Sequence, residues 1–233
     1  MSKKTAIITG GAGNLGRTIV KKFLELDYRL AVTLEPNVQI EENFRNQSPH
    51  LECYELDVTN EDKSADFVKK CVQKYGRLDA AIMLVGGFAL GSLADLTQAT
   101  IEKMLRLNFY SALAIAKPAF EAMKAQKSGR LIFIGARAGL DLKNGTYSVE
   151  YGLSKSLLFR LSELFNAEGN AHGVVASVVV PSVIDTPANR ASMPNANFDD
   201  WVKPEVIAES VAFLCSDAGG ALRDTILKVY HNA

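Results

Sequence analysis

The sequence lacks an excess of charge of either sign, and it lacks any apolar run long enough to span a membrane. Its 26 basic and 26 acidic residues cancel and are interleaved along the 233 residues of the chain. No summed field therefore draws in nucleic acid or an anionic membrane, and neither partner is expected. A small-molecule partner is favoured. Because the first residues run straight into a short strand-like segment instead of a signal-peptide apolar region, we expect a cytoplasmic protein.

The sequence also contains little cysteine. Cys53, Cys71 and Cys215 are an odd number of widely spaced residues inside apolar patterns. This usage suits reduced thiols in a reducing compartment better than a disulfide framework. No metal site is expected. With 48% apolar residues the chain can bury a large core, and residues 1–233 are expected to form one domain.

Short apolar runs rich in β-branched residues alternate along the chain with longer stretches of helical period. This pattern is typical of a parallel sheet covered by helices on both faces, so the predicted fold class is α/β and doubly wound. The seven strand candidates are residues 5–9, 30–34, 51–56, 80–85, 131–134, 174–180 and 225–229. Long helices are expected at about residues 101–125, 151–167 and 204–215. Residues 181–201, whose prolines and asparagines break both periods, are the candidate for a loop that covers a substrate.

A glycine-rich turn follows the first strand candidate and leads into a helix. The residues of this turn that we expect to bind a ligand are Gly10, Gly13, Asn14, Leu15 and Gly16. Glycine permits a tight turn and a close approach to a pyrophosphate, and the helix amino terminus offers free N–H groups. Glu35, at the end of the second strand, lies about 20 residues beyond the last glycine, as the dinucleotide fingerprint requires. A carboxylate there accepts ribose hydroxyls and repels a 2′-phosphate, so NAD(H) is favoured over NADP(H).

Tyr151 and Lys155 stand four residues apart at the start of a predicted helix, so their side chains share one face. A free phenol titrates near pKa 10, and a cation within several ångströms lowers that pKa toward working pH. Tyr151 is therefore a candidate proton donor. This spacing alone is common on protein surfaces, and the glycine turn in the same chain is what favours a catalytic interpretation.

Four features together resemble the short-chain dehydrogenase/reductase family over nearly the whole chain: the glycine turn, Asp57-Val58 after the third strand, Asn108 in a long helix, and the tyrosine/lysine pair. The resemblance implies a Rossmann-type fold and an NAD(P)-dependent oxidoreductase. It implies that Tyr151 is the general acid/base, that Lys155 binds the nicotinamide ribose and that Asn108 helps a proton relay. The remaining cofactor contacts that we assign are Asp57, Val58, Gly86, Gly87, Pro181 and Thr186.

The chain departs from the family pattern in three places. Leu84 and Val85 replace the asparagines that precede the glycines of the family's Asn-Asn-Ala-Gly turn, and Asn14 stands where many members have glycine. Ala136 occupies the position of the catalytic serine after the fifth strand. Losing such a hydrogen-bond donor costs about 3 kcal/mol of transition-state stabilisation where the chemistry needs it. Our hypothesis is that Thr146 or Ser148 substitutes for it.

One branch of the family, the dihydropteridine reductases, resembles this chain in lacking that serine and in its late loop, residues 185–194 followed by Phe198 and Trp201. A quinonoid dihydropterin needs a hydride and a proton but no polarised ketone, so the missing serine would cost little. This resemblance implies a quinonoid dihydropteridine as the substrate. Substrate contacts are predicted from five residues near the site: Ala136, Phe88, Tyr147, Asn189 and Trp201.

Two alternatives remain open at the level of sequence. Another NADH-dependent carbonyl or imine reductase of the same family is one, because residues 91–99 and 105–108 do not match that branch. A non-catalytic, dinucleotide-binding regulatory protein is the other, although the retention of both Tyr151 and Lys155 argues against it. The two long central helices carry more apolar residues than one core-facing stripe needs. By family resemblance they pair across a two-fold axis, which implies a homodimer or a homotetramer.

Overall fold

The strand candidates all form strands of one parallel sheet in the computed structural model, which describes residues 3–141, 143 and 145–232. The strands are β1 Thr5–Thr9, β2 Arg29–Leu34, β3 Leu51–Glu55, β4 Ala80–Met83, β5 Gly129–Ile134, β6 Val174–Pro181 and β7 Thr225–Val229. Their order across the sheet is β3-β2-β1-β4-β5-β6-β7, and neighbouring strands pair in parallel. This order, with its reversal between β1 and β4, is that of a Rossmann-type doubly wound sheet. The predicted fold class is confirmed.

Helices cover both faces of the sheet. The α-helices are α1 Asn14–Glu25, α2 Glu42–Arg45, α3 Glu61–Tyr75, α4 Gln98–Leu105, α5 Ser111–Gln126, α6 Arg137–Leu140, α7 Val149–Gly169, α8 Pro187–Ser192 and α9 Pro204–Leu214. Helix α3 illustrates how local sequence sets such limits, because the Asn60 side chain accepts the N–H of Lys63 and Gly76 ends the helix at a φ of 74°. Within the described part of the chain, none of the helices combines the length and apolar character needed to cross a membrane.

The strands are short and apolar because both faces of the sheet are buried. Successive side chains of a strand point to opposite faces, and in β1 Ile7 joins one core cluster while Ile8 joins the other. The first cluster packs the sheet against α3, α5 and α7, and the second packs it against α1 and α9. The two isoleucines are both 0% exposed. Continuous apolar runs, without polar alternation, are what such a two-sided environment selects.

The single long helix predicted over residues 101–125 is wrong in detail. The structure has α4, then a π-helical segment at Arg106–Tyr110, and then α5. A π-helical turn accommodates one extra residue and is frequent at functional sites. Here it contains Asn108, which is 1% exposed. The periodicity of the apolar residues did not reveal the interruption, because a single wide turn hardly changes a helical pattern.

The loop predicted at residues 181–201 is more ordered than its composition suggests. It contains α8 and a short 3-10 turn at Phe198–Asp200. Its two ends are joined by hydrogen bonds from Asp185 N to the Val202 carbonyl oxygen (2.8 Å) and from Val202 N to the Val183 carbonyl oxygen (2.9 Å). Trp201 is only 5% exposed and packs on a neighbouring phenylalanine ring with a centroid distance of 4.8 Å. The segment is therefore a loop whose ends are hydrogen-bonded to each other and whose Trp201 side chain is buried.

Replacing Phe133 by alanine should lower the free energy of unfolding by about 3–5 kcal/mol, because the ring lies in the interior strand β5 and its loss leaves a cavity. The side chain is 0% exposed. Urea unfolding followed by circular dichroism measures the change. Tyr147→Ala is the matched control, since Tyr147 is 79% exposed and its loss should cost less than about 0.5 kcal/mol. Equal costs for the two variants would contradict the core assignment.

Candidate active site

The glycine-rich turn lies at the carboxyl end of β1, beside the point where the sheet order reverses. Gly10 has a φ of +64°, in the left-handed region that favours glycine. A Cβ on Gly16 would lie 2.4 Å from the Gly10 carbonyl oxygen. Only glycine therefore lets α1 pack this closely on the turn. The geometry predicted for the turn is present.

The first turn of α1 faces the same edge of the sheet. Gly13 precedes the helix and supplies no side-chain cap, and the first turn contains no acidic residue. Asn14, the first helical residue, is exposed, and Leu15 is half-buried. Such a helix end favours an anion, because N–H groups without a side-chain cap and the helix dipole both attract negative charge. The turn and the helix together fit a pyrophosphate.

A groove of about 660 Å³ runs from this turn along the carboxyl ends of β2, β3 and β4. Six of its lining residues are among those predicted to contact the cofactor: Gly10, Gly13, Glu35, Asp57, Val58 and Gly86. Sequence reasoning missed the apolar walls, which include Val38, Ile40, Leu84 and Val85. The only feature of the sequence that could have indicated these residues is their position shortly after β2 or β4, the strands that end at this edge of the sheet. The groove suits a long, flat ligand with a charged centre.

Two carboxylates border the groove. Glu35 follows β2 directly and is exposed. Asp57 accepts hydrogen bonds from the N–H and the hydroxyl of Thr59 at 2.9 and 2.7 Å, and these bonds lower the pKa of its carboxyl group. Val58, beside it, is buried. Asp57 is thus held in its turn, while Glu35 is available to a ligand.

Lys155 is buried where β4, β5 and α7 meet. Its Nζ donates a hydrogen bond to the Ile134 carbonyl oxygen at 2.8 Å. A Cβ on Gly86 would lie 3.2 Å from this Nζ and 2.6 Å from Asn108 Oδ1. The bare Cα of Gly86 therefore lets the amine and the amide approach the end of β4. Tyr151 lies one helical turn before Lys155 on α7.

Burial shifts the two titrations of the pair in opposite directions. It raises the pKa of the Tyr151 phenol to about 12 and lowers the pKa of Lys155 to about 8. In both groups a poorly solvated environment disfavours the charged form. This direction is opposite to the expected lowering of the tyrosine pKa by Lys155, and burial of the phenol is its cause. At neutral pH the phenol keeps its proton.

The Asn108 side chain joins the π-helical segment to two other elements. Its Oδ1 accepts the N–H of Gly87 at 2.9 Å, and its Nδ2 donates to the Gly87 carbonyl oxygen at 3.1 Å and to Ser154 Oγ at 3.0 Å. Sequence reasoning missed Ser154, whose hydroxyl also donates to the Tyr151 carbonyl oxygen at 2.8 Å. Asn108 therefore connects the segment after β4, through hydrogen bonds, to α7, the helix that carries Tyr151 and Lys155. A role in proton relay stays a prediction.

Ala136 lies at the end of β5 and is 6% exposed. Of the two proposed replacements for the absent serine, Thr146 is exposed, and Ser148 is buried immediately before α7. Backbone bonds on either side of Ser148 link its segment to Gly91, which donates to the Tyr147 carbonyl oxygen and accepts from Val149 N, both at 3.0 Å. Substitution by either hydroxyl remains a hypothesis.

One of the predicted substrate contacts, Phe88, packs against the phenol ring, and another, Tyr147, lies in the segment that precedes α7. The Phe88 ring meets the Tyr151 ring edge-on with a centroid distance of 5.0 Å. Phe88 is 63% exposed. Tyr147 is exposed and lies in the segment that pairs with Gly91. Both rings are thus exposed, that of Phe88 against Tyr151 of α7 and that of Tyr147 in the segment that precedes this helix.

The other predicted contacts are used within the late loop. Asn189 donates from Nδ2 to the Ile184 carbonyl oxygen at 2.8 Å, and Trp201 is the buried anchor of the loop. Thr186 caps α8 by accepting the N–H of Asn189, and Pro181 ends β6. These four residues shape the loop beyond β6. Contacts with a cofactor or substrate stay predictions for all of them.

The sequence model of the short chain dehydrogenase family matches residues 4–197. The matched region includes the glycine turn, the π-helical asparagine and the tyrosine/lysine pair. The chain therefore belongs to the short-chain dehydrogenase family, a family of oxidoreductases, and the resemblance seen in the sequence is confirmed.

Individual relatives are distant but extend over most of the chain. The dihydropteridine reductase of Dictyostelium discoideum is 26% identical over 89% of this chain and 86% of its own length. A probable 2,4-dienoyl-CoA reductase of Bacillus subtilis (strain 168) is also 26% identical, over 93% of this chain and 91% of its own. The solved structure of ElxO with NADP bound superimposes with a TM-score of 0.87 at 23% identity and covers 97% of both chains. This structural likeness bears on the fold alone.

Replacing Gly86 by alanine should push the segment after β4 away from Asn108, because the new Cβ would lie 2.6 Å from Asn108 Oδ1. We expect the Gly87 amide, which donates to Asn108, to exchange its hydrogen roughly tenfold faster or more. Hydrogen-exchange mass spectrometry or NMR measures this rate. The Ala176 amide, which donates to Asn166 Oδ1 at 2.8 Å in another part of the chain, is the internal control and should exchange at its wild-type rate. An unchanged exchange rate of the Gly87 amide in Gly86→Ala would contradict the role of Asn108 in holding this segment.

Proposed function

We propose that this protein is an NADH-dependent reductase that transfers a hydride to a small organic acceptor, and that the acceptor is a quinonoid dihydropteridine. One observation carries the proposal. Lys155, Asn108 and Gly86 meet at one end of a groove whose opposite end is bordered by Glu35. The protonated phenol of Tyr151 lies one turn from Lys155. This arrangement supports a dinucleotide that runs along the groove with its reactive ring near the phenol.

A nicotinamide dinucleotide supplies the hydride when it is bound. In the proposed mechanism the glycine turn and the α1 amino terminus bind the pyrophosphate, and Glu35 accepts the hydroxyls of the adenosine ribose. Lys155, held by the Ile134 carbonyl oxygen, binds the other ribose. Tyr151 donates the proton that balances the hydride on the acceptor. Its raised pKa supports this direction of transfer, because the phenol is protonated at working pH.

The absence of a serine at Ala136 supports an acceptor with a conjugated imine system. Reduction of a quinonoid dihydropterin places a hydride and a proton on the ring system and needs no hydroxyl to polarise a ketone. Phe88, in contact with Tyr151, offers a ring against which a flat bicyclic molecule can pack. The sequence similarity to a dihydropteridine reductase is in line with this acceptor.

The preference for NADH rests on Glu35, which is exposed at the groove and repels a 2′-phosphate by its charge. The solved structure of ElxO, which has the same fold, holds NADP, so the fold itself does not exclude the phosphorylated cofactor. In this proposal the side chains that line the groove therefore determine which cofactor is preferred.

A second candidate is reduction of a carbonyl or enoyl group in another acceptor. The similarity to a 2,4-dienoyl-CoA reductase favours it, and Thr146 or Ser148 would then replace the serine. Loss of catalysis with retention of dinucleotide binding is the remaining alternative. We further propose that the chain forms one domain and that the protein is cytoplasmic. We also propose that it assembles as a homodimer or homotetramer, since Leu157 and Leu164 on α7 expose apolar surface.

Tyr151→Phe should reduce turnover by about 10²- to 10⁴-fold, because the acceptor loses its proton donor. The assay mixes the full chain with NADH and chemically generated quinonoid dihydropterin and follows the cofactor absorbance. NADH binding, measured by fluorescence, should stay unchanged. Tyr110→Phe is the matched control, since Tyr110 is half exposed on the π-helical segment, and it should retain wild-type turnover.

The same assay separates the candidates. Turnover of ketones or enoyl substrates without turnover of the pterin would replace the acceptor but keep the reductase. Binding of NADH with no turnover of any acceptor would indicate the regulatory alternative. Wild-type turnover in Tyr151→Phe would overturn the assignment of the acid.

Turnover should fall as the pH rises through about 8, because burial gives Lys155 a pKa of about 8 and its cationic form binds the ribose. Below that pH the ammonium is fully present and the rate should level off. Steady-state rates measured between pH 6 and 10 give the profile. Lys155→Arg, which stays charged over this range, should show residual turnover without the decline. A flat wild-type profile up to pH 10 would contradict this role for Lys155.

A further inference from the structure

Two arginine side chains lie beside the groove, although the three residues that follow Glu35 carry no positive charge. Arg17 lies on α1, one residue after the last glycine of the turn, and Arg45 is the last residue of α2. A guanidinium here could attract the 2′-phosphate of NADP(H), because arginine binds phosphate through paired hydrogen bonds. The partners of these arginines therefore bear on which dinucleotide binds.

Three contacts occupy the Arg17 guanidinium. Its Nε donates to the Ala12 carbonyl oxygen at 2.9 Å, and its Nη2 donates to Glu41 Oε2 at 2.6 Å. The guanidinium also lies over the Phe44 ring, 4.9 Å from the centroid. Because Ala12 lines the groove, Arg17 lies at the edge of the groove. Its charge is already matched there by Glu41.

Arg45 is paired in the same way with Glu55, at 2.9 Å. Both residues line a second hollow of about 640 Å³. This hollow shares Val38 and Ile40 with the dinucleotide groove. Val38 N donates to the Glu35 carbonyl oxygen at 3.5 Å, so the hollow that Arg45 lines begins beside the residue proposed to bind the ribose.

Glu35, by contrast, has no ion-pair partner among the residues that the structure describes. We propose that Glu41 and Glu55 are specificity residues for the cofactor. Each holds an arginine in an ion pair, so that the field at the 2′ position is dominated by Glu35 and NAD(H) is preferred. The inference rests on the proposed function, since it presupposes that the groove binds a dinucleotide.

The test uses two nucleotides that differ only in the 2′-phosphate, AMP and adenosine 2′,5′-bisphosphate. Isothermal titration calorimetry on the full chain gives the ratio of their dissociation constants without any turnover. Glu41→Gln should shift this ratio toward the bisphosphate by about threefold to tenfold, because the released guanidinium can pair with phosphate. AMP binding itself should change less than about twofold. Glu55→Gln should act in the same direction through Arg45.

Glu42→Gln is the matched control. It removes the same charge from the adjacent residue, and Glu42 lines the same hollow without an ion pair in the described part of the chain. The ratio should stay near its wild-type value in this variant. In the double variant Glu41→Gln with Arg17→Gln, the gain should disappear, because the cation that produces it is gone.

The outcomes separate this inference from the proposed function. An equal gain in Glu42→Gln, or a gain that survives the loss of Arg17, would overturn the inference in favour of a general charge effect. Normal AMP binding with an unchanged ratio in both Glu41→Gln and Glu55→Gln would overturn it as well. Failure of the wild-type chain to bind either nucleotide would remove the proposed function and the inference with it.

Discussion

At the edge where the parallel strands end, the Thr9 hydroxyl accepts hydrogen bonds from the N–H groups of Leu84 and Val85 at 3.0 and 3.3 Å. These bonds tie the end of β1 to the end of β4, where the sheet order reverses. The glycine turn follows the end of β1, and Gly86 follows the end of β4. Because all strands run in the same direction, the glycine turn and the buried amine of Lys155 are brought to one edge. The whole candidate site depends on that alignment.

Burial of the amine is the second constraint. An ammonium taken out of water loses solvation, and Lys155 recovers part of it from the Ile134 carbonyl oxygen. The neighbouring phenol experiences the same poorly solvated surroundings and keeps its proton. Ordinary stability would favour an apolar side chain at this position, so the buried lysine is a local departure of the kind expected at a functional site.

Charge at the other end of the groove is arranged differently. There the side chains are partly exposed, and single ion pairs contribute little to stability. Their proposed effect is on the local field, because a carboxylate that pairs with an arginine limits the availability of that arginine to a ligand. Under the proposed function, the groove would discriminate between dinucleotides through side chains that contribute little to the fold.

The sequence by itself predicted a great deal of this protein. Short β-branched runs indicated the strands, since a strand buried on both faces needs little beyond local composition. The glycine turn, Glu35 and the tyrosine/lysine pair were also visible, because each is a short-range pattern placed by a single strand or helix. The site roles assigned from these patterns remain predictions, whereas the fold and the family are established.

Only the tertiary structure decided how those elements meet. The π-helical turn around Asn108, the fit of Gly86 against Lys155 and the raised pKa of Tyr151 all depend on contacts between segments distant in the chain. The position of Arg17 beside the groove could not be predicted for the same reason, because its ion pair with Glu41 joins residues that are 24 positions apart. Local propensity carries no information about such contacts. Packing brings these groups together, and burial then sets their charge states.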